Sequence, residues 1–339
     1  MKQGPVIDFV VPWVDGGDPV WQKEKARYLG QSDTDAMIDA GEARFRDLEN
    51  LRYWFRAVET YAPWVNKVHF ITCGQKPEWL NLDAPKLNFV KHEDYIPAEF
   101  LPTFSSHVIE LNLHRIEGLS EHFVYFNDDI FLTAPVRPED FFVDGLPCDY
   151  LEESPLTFWE GRTGNGVKMN DILFLDKHFD RKKMRKTMKR KLYAPCDPKG
   201  MLRNLALNVV NDSAFFGIKI HHLTQTYRKS TFEQVWQVEE ERLRKVCSHK
   251  FRDERDVNQY IFRFWQLLTG EFHPCNMRKL GRNYKMKWKL DEICDQIVTQ
   301  NCKELVLHDE PEPLDFEAAT KRINQAFETV LPNKSSFEL

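Results

Sequence analysis

One run of residues constrains this chain most: Phe123-Val124-Tyr125-Phe126 breaks abruptly into Asn127-Asp128-Asp129. Consecutive aromatic and β-branched residues read as a buried strand, and the polar residues after them mark where it leaves the sheet. The chain opens in the same way, with Ile7-Asp8-Phe9-Val10-Val11-Pro12-Trp13-Val14 ending in the turn Asp15-Gly16-Gly17-Asp18. Further strands are predicted at Val68-His69-Phe70-Ile71-Thr72 and Leu87-Asn88-Phe89-Val90. Between the strands, residues 44–62 place Leu48, Leu51, Phe55, Val58 and Tyr61 three or four apart, the spacing of an amphipathic helix. Another helix is predicted from Ser106 to Glu117. This alternation gives an α/β fold, a mainly parallel sheet flanked by helices. In such sheets ligands bind beyond the carboxyl ends of the strands, where both acidic turns fall.

From about residue 150 the character changes. Helices are expected over Phe232–Lys245, Val257–Leu268 and Phe316–Phe327, after a loop at Ala194-Pro195-Cys196-Asp197-Pro198-Lys199-Gly200. We therefore expect an α/β core over 1–150 and a mainly helical part over 151–339, the two forming one catalytic unit. The run Lys182-Lys183-Met184-Arg185-Lys186-Thr187-Met188-Lys189-Arg190-Lys191 is densely basic. It reads as a solvated helical face, or as a grip on an anionic membrane or an anionic polymer acceptor. Net charge is −5, which argues against general nucleic-acid binding. No apolar stretch reaches about 18 residues, and the first residues lack a signal-peptide h-region. The 7 cysteines are scattered without a CxxC pair, so reduced thiols and a cytoplasmic location, with peripheral contact on the inner membrane face, are expected.

Adjacent carboxylates at Asp128 and Asp129 are a ready ligand set for a hard divalent cation, Mg²⁺ or Mn²⁺; the plain alternative is an acidic turn. Gly16 and Gly17 let backbone approach a ligand, and Asp15 and Asp18 can accept from ribose or sugar hydroxyls. No dinucleotide-binding or P-loop glycine pattern is present. In His221-His222, an imidazole of near-neutral pKa is a natural base for a sugar hydroxyl. Arg228, Lys229 and Arg252 could bind phosphate. Aromatic residues make up 13%, a content suited to clefts on which sugars stack.

Taken together these segments resemble the Stealth family, whose members include bacterial capsular polysaccharide phosphotransferases and the catalytic subunit of GlcNAc-1-phosphotransferase. The first matching block is Ile7–Gly16. The second runs from Phe45-Arg46-Asp47 through Leu51-Arg52-Tyr53, Arg56-Ala57-Val58-Glu59, Tyr61-Ala62-Pro63-Trp64-Val65 and Ile71-Thr72-Cys73-Gly74-Gln75. It continues through Leu101-Pro102-Thr103-Phe104-Ser105-Ser106-His107, Ile109-Glu110, His114-Arg115-Ile116-Glu117-Gly118-Leu119-Ser120 and Tyr125–Asp129. His222 with Arg252-Asp253-Glu254-Arg255-Asp256 resembles the third block, and Leu307-His308-Asp309-Glu310 the fourth, with His308-Asp309 where an Asn-Asp pair is expected.

The resemblance implies a glycosyltransferase-A-like, nucleotide-sugar-binding fold. It also implies transfer of a hexose-1-phosphate from a UDP-sugar such as UDP-GlcNAc to a carbohydrate hydroxyl, releasing UMP. By the same resemblance His222 is the base, with His221 the alternative, and Asn127 and Asp128 lie at the diphosphate. Arg252 stabilises phosphoryl charge, and Asp128, Asp129 and Asp309 hold Mg²⁺ or Mn²⁺. Trp13, Asp15, Gly16, Asp18, Arg56, Ser105, His107, Arg115 and Arg228 are the substrate-binding candidates. The competing readings are a conventional glycosyltransferase releasing UDP and a non-catalytic carbohydrate-binding protein.

Overall fold

The computed structural model describes residues 4–30, 49–158, 160, 164–211, 213–308 and 315–339, with the backbone of 38–39. The first half supplies strands β1 (Ile7–Pro12), β2 (Ile38–Asp39), β3 (Val68–Thr72), β4 (Leu87–Lys91), β5 (His122–Tyr125), β6 (Ile130–Leu132), β7 (Phe142–Val143) and β8 (Leu146–Asp149). The second half supplies β9 (Gln225–Arg228), β10 (Arg252–Asp253), β11 (His273–Pro274), β12 (Gly281–Lys285) and β13 (Glu304–His308).

A 5-stranded sheet in the order β4-β3-β1-β5-β9 forms the centre. Strands β4, β3, β1 and β5 run parallel, with Val10 beside both His69 and Tyr125. Strand β9 closes one edge antiparallel, placing Gln225 opposite Tyr125 and Arg228 opposite His122. The parallel strands read as unbroken apolar runs because both faces are covered. Phe9, Val11, Phe70 and Val124 pack on one side against Trp54 and Phe55 of helix Leu51–Tyr61 and Phe327 of helix Phe316–Val330. Val10, Ile71, Phe123 and Tyr125 pack on the other against helices Ser106–Leu111, Lys229–Cys247 and Tyr260–Thr269. Each such inaccessible ring contributes on the order of 2 kcal/mol.

The one charge in this core strand is anchored. Asp8 accepts from Asn66 Nδ2 at 2.8 Å, Ser120 N at 2.7 Å and Lys67 N at 3.2 Å, and meets His69 Nε2 at 3.1 Å. Burial pushes its pKa up, but the His69, Asn66 and Ser120 bonds outweigh that and hold it below the usual carboxyl value. These contacts join the entry ends of β1, β3 and β5.

A second sheet, β12-β13-β6, stands beside the first. Strand β13 runs parallel to β12, with Lys285 opposite His308, and antiparallel to β6, with Val306 opposite Ile130. The second half is thus helical but also completes both sheets.

Several expected bounds shift. The helix expected to reach Glu117 ends at Leu111, because Asn112 leaves helical geometry and turns its amide back onto Val108 O at 2.8 Å. A single 3₁₀ turn, Leu113–Arg115, follows. The helix expected over 44–62 spans Leu51–Tyr61, and residues 44–48 lie outside the described residues. The loop expected through Gly200 stops at Asp197, which caps helix Pro198–Val210 by accepting from Gly200 N at 3.0 Å.

The basic run forms two short helices, Arg181–Thr187 and Lys189–Leu192. It is not uniformly solvated. Met184, Met188 and Leu192 are buried, and the buried Arg181 forks onto Glu153 at 2.5 and 2.7 Å. Lys182, Lys183, Lys186, Lys189 and Arg190 form its exposed side. Among the described residues no helix is long and apolar enough to cross a membrane.

Candidate active site

Sheet direction builds the site. At the end of β5 the chain turns tightly, with Phe126 N donating to Val10 O at 2.8 Å and Ile130 N to Asn127 O at 3.1 Å. Leu307 N donates to Asp129 O at 2.9 Å, which seats the end of β13 on the same turn. Because β9 is antiparallel and begins beside Tyr125, the residues leading into it arrive at this edge too. Three segments distant in sequence therefore meet. His222 Nε2 lies 3.3 Å and His308 Nδ1 3.8 Å from Asp129 Oδ2, and the two imidazoles stack with centroids 4.7 Å apart.

His222 has a left-handed backbone, φ 49°. Residues other than glycine take that conformation uncommonly, histidine being among those that do so more often. The turn separates the paired histidines: His222 faces Asp129, whereas His221 Nε2 faces Glu152 Oε2 at 3.5 Å. Glu152 is itself inaccessible and holds Arg203 and Arg278.

Burial lowers the pKa of His222, but the hydrogen bond and charge of Asp129, helped by Asp128 and Glu110, outweigh it and leave the pKa raised. Asp129 Oδ1 is buried without a hydrogen-bond partner. One ligand atom each from Asp129, His222 and His308 lies within 4.8 Å of the others. A carboxylate oxygen lacking a donor beside imidazole nitrogens fits a divalent cation.

After the end of the neighbouring strand β1, Trp13, Asp15 and Gly16 line a cavity of about 1150 Å³ with Arg52, Lys76 and Trp79. Asp18 is turned to a different task. Its Oδ1 accepts from Val20 N at 2.8 Å as the cap of helix Pro19–Leu29, and its Oδ2 accepts from Gln75 Nε2 at 2.9 Å. Gln75 also bonds both the N–H and the C=O of Asp15, clamping the turn to the end of β3.

Arg252 Nη2 donates to Ser106 Oγ at 2.7 Å, at the start of helix Ser106–Leu111. In that helix Glu110 accepts from Tyr125 Oη at 3.3 Å, so one short helix links Arg252 to the strand entering Asn127. Phe104 stacks on Phe251 at 5.2 Å and meets Trp21 at 5.7 Å, tying the Arg252 segment to the helix after the Asp15 turn. Ser105 is buried beside it, and His107 Nδ1 meets Asp256 Oδ2 at 2.7 Å while His249 Nδ1 meets Asp256 Oδ1 at 2.6 Å.

Three of the expected residues are not brought here. Arg228 is carried by the antiparallel β9 to the opposite end of the sheet, where it pairs with Glu121 and Glu271, each at 3.4 Å. Arg115 lies in the connection returning to the start of β5, over the Trp236 ring at 4.7 Å. Arg56 is buried, with Nε on Glu338 at 2.8 Å and Nη1 on Glu328 and Leu331 O, both at 2.9 Å. Asp309 lies outside the described residues. In the other direction, His249 and Asn283 gave no local signal, and Glu110 and Asp256 appeared only within matching blocks; packing gives them their partners.

Comparison with known proteins gives the family. Residues 5–33 match the family model described as Stealth protein CR1, conserved region 1, and residues 44–148 match Stealth protein CR2, conserved region 2. The chain is 40% identical over 334 residues to a capsular polysaccharide phosphotransferase, WcwK, of Streptococcus pneumoniae, covering 98% of each. It is 38% identical to the receptor polysaccharide phosphotransferase WefC of Streptococcus oralis, over 98% of this chain and 99% of that one. It is 34% identical to the exopolysaccharide phosphotransferase cps2G of Lactiplantibacillus plantarum, over 98% and 96%. Likeness of that extent, on a mainly parallel sheet with its polar centre at the strand ends, means that the chain belongs to the Stealth family and is a transferase of phosphorus-containing groups.

Proposed function

We propose that this chain transfers a hexose-1-phosphate from a UDP-sugar to a carbohydrate hydroxyl, building a phosphodiester of a capsular or cell-surface polysaccharide. The observation that carries this is the meeting of Asp129, His222 and His308 at the end of β5, with a cavity lined by Trp13 and Asp15 after the end of the neighbouring strand β1. The relatives named as polysaccharide phosphotransferases supply the substrate class.

In this reading the acceptor oxygen attacks the β-phosphorus of the donor. The new P–O bond forms as the bond from that phosphorus to the bridging oxygen breaks, and UMP leaves. His222, oriented by Asp129, takes the hydroxyl proton, an arrangement in which a carboxylate holds the base. His221 points into the Glu152 cluster, which favours His222 for that role. Arg252 offsets charge growing on the phosphoryl oxygens, and Asn127 and Asp128 sit at the diphosphate. Asp128 and Asp129, with Asp309, would hold Mg²⁺ or Mn²⁺, which when bound neutralises diphosphate charge. The exposed lysines of residues 181–191 support a peripheral contact with an anionic membrane on the cytoplasmic side.

The released nucleotide tests this. Incubation with a panel of UDP-sugars and an acceptor glycan should yield UMP by chromatography. Asp128→Ala and Arg252→Ala should each lower turnover by at least ~10²-fold, with unfolding temperature nearly unchanged. Release of UDP instead would make the enzyme a conventional glycosyltransferase.

A further inference from the structure

Asn283 on β12 bridges two segments of the candidate site, the stretch leading into β9 and the end of β13. Its Nδ2 donates to His221 O at 2.7 Å, and its Oδ1 lies 3.3 Å from His308 Nε2. The first contact decides the second. A backbone carbonyl only accepts, so the amide nitrogen faces His221 and the amide oxygen faces His308; the flipped amide would oppose two oxygens. His308 Nε2 must then carry a proton, and in the neutral ring the lone pair falls on Nδ1. That nitrogen is 3.8 Å from Asp129 Oδ2. The separation is too long for a direct hydrogen bond. With a ligand atom of His222 these atoms lie within 4.8 Å of one another, close enough for one ion to reach them.

We propose that His308 is, with Asp129, a ligand of the divalent cation, and that Asn283 is a positioning residue that sets the His308 tautomer. The buried, partnerless Asp129 Oδ1 is the second observation pointing to an ion at this place. His308 gives the site a nitrogen donor beside the carboxylate. It also changes which metal the site prefers. Mg²⁺ favours oxygen ligands and sheds water reluctantly, whereas imidazole suits transition-series ions. The site should accordingly select Mn²⁺ over Mg²⁺. The inference rests on the phosphotransferase reading only in that the reaction there uses a cation.

The test is binding of the metal alone to the full chain. Mn²⁺ is titrated into purified protein, and the paramagnetic resonance signal of the free ion is followed, with Mg²⁺ as competitor. Wild type should bind Mn²⁺ at least ~10-fold more tightly than Mg²⁺. His308→Ala should weaken Mn²⁺ binding by ~10-fold or more, and Asn283→Leu by about 10-fold, the loss typical of removing a residue that orients a ligand. His308→Asn, which replaces the nitrogen donor by an amide oxygen, should narrow the gap between the two ions. Circular dichroism melts of the metal-free variants check that each is folded. A folded His308→Ala that binds Mn²⁺ like wild type would falsify the ligand assignment, as would a wild type without preference for Mn²⁺. An unaffected Asn283→Leu would overturn the positioning role. No sugar nucleotide is present, so an error in the donor or in the released nucleotide would leave this result standing.

Discussion

The family resemblance makes Arg56 a substrate-binding candidate, yet its surroundings give it other work. Its guanidinium holds the end of the chain: Nε and Nη2 fork onto Glu338 at 2.8 and 3.0 Å, and Nη1 reaches Leu331 O. Burial raises the pKa of Glu338, but the Arg56 bonds outweigh it and the value falls below the ordinary one. Removing Arg56 strands a carboxylate that is only 9% exposed. Arg56→Ala should cost about 3 kcal/mol in urea unfolding, because one member of a buried pair is left alone. A carboxyl whose folded pKa is depressed stabilises the fold above its unfolded pKa of about 4.3, and the gain fades as pH falls through the folded value. The gap between variant and wild type should therefore be full at pH 7 and shrink in acid. Donor KM, measured well below the melting temperature, should stay within about 2-fold of wild type. A KM rise without loss of stability would return Arg56 to the donor site.

At the scale of elements, β13 matters most, since its end carries His308. Its first residue, Glu304, is fully buried against Thr224, which donates to it through N at 3.1 Å and through its hydroxyl. Burial pushes the Glu304 carboxyl up to about 7 despite those bonds. The sign is opposite to that of Glu338. A raised carboxyl pKa means that the folded state holds a proton the unfolded chain has lost, so stability declines as pH climbs from about 4.3 to about 7. Glu304→Gln removes that titration and keeps an acceptor for Thr224. Its melting temperature should match wild type near pH 4.5 and exceed it at pH 8, by roughly 2–3 kcal/mol in free energy. A constant difference across that range would disprove the titration. The sequence made the parallel strands legible because they are long apolar runs ending in acid, as Phe123–Asp129 does. Only the resemblance of Leu307-His308-Asp309-Glu310 to a family block put the end of β13 at the site; no local chemistry did. Leu305-Val306-Leu307 has a strand's composition, but only pairing with Ile130 and β12 brings His308 to Asp129. The same holds for Arg228, where four residues of antiparallel strand reverse the end of the sheet to which a cation belongs.

Across the whole molecule, charge and apolar surface are unevenly spread. The chain carries −5 overall, yet Lys182, Lys183, Lys186, Lys189 and Arg190 are exposed together on the two short basic helices. The helix Pro198–Val210 adjoins them: Asn204 Nδ2 donates to Leu192 O at 2.9 Å, and Arg181 Nη1 to Asn211 O at 2.6 Å. That helix turns Leu202, Leu205, Val209 and Val210 outward, with Val209 88% exposed. Lysines beside apolar side chains are the composition of a surface that rests on anionic headgroups and buries its apolar tips among them. Each lysine near such a surface contributes about 1 kcal/mol, an attraction screened within roughly 8–10 Å at physiological salt. Sedimentation with phosphatidylcholine vesicles should therefore recover little protein, and adding phosphatidylglycerol should recover much more. High salt should reduce the bound fraction. The triple change Lys182→Glu, Lys186→Glu, Lys189→Glu should weaken binding by at least ~10²-fold, since three attractions become repulsions. Val209→Ser with Leu202→Ser should weaken it less and leave the salt dependence intact. Turnover on a soluble acceptor glycan should be unchanged in both variants, because these residues lie outside the strand-end site. Equal recovery with neutral and anionic vesicles would remove the membrane reading. Loss of turnover on a soluble anionic polymer in the triple variant would instead assign the basic face to the acceptor.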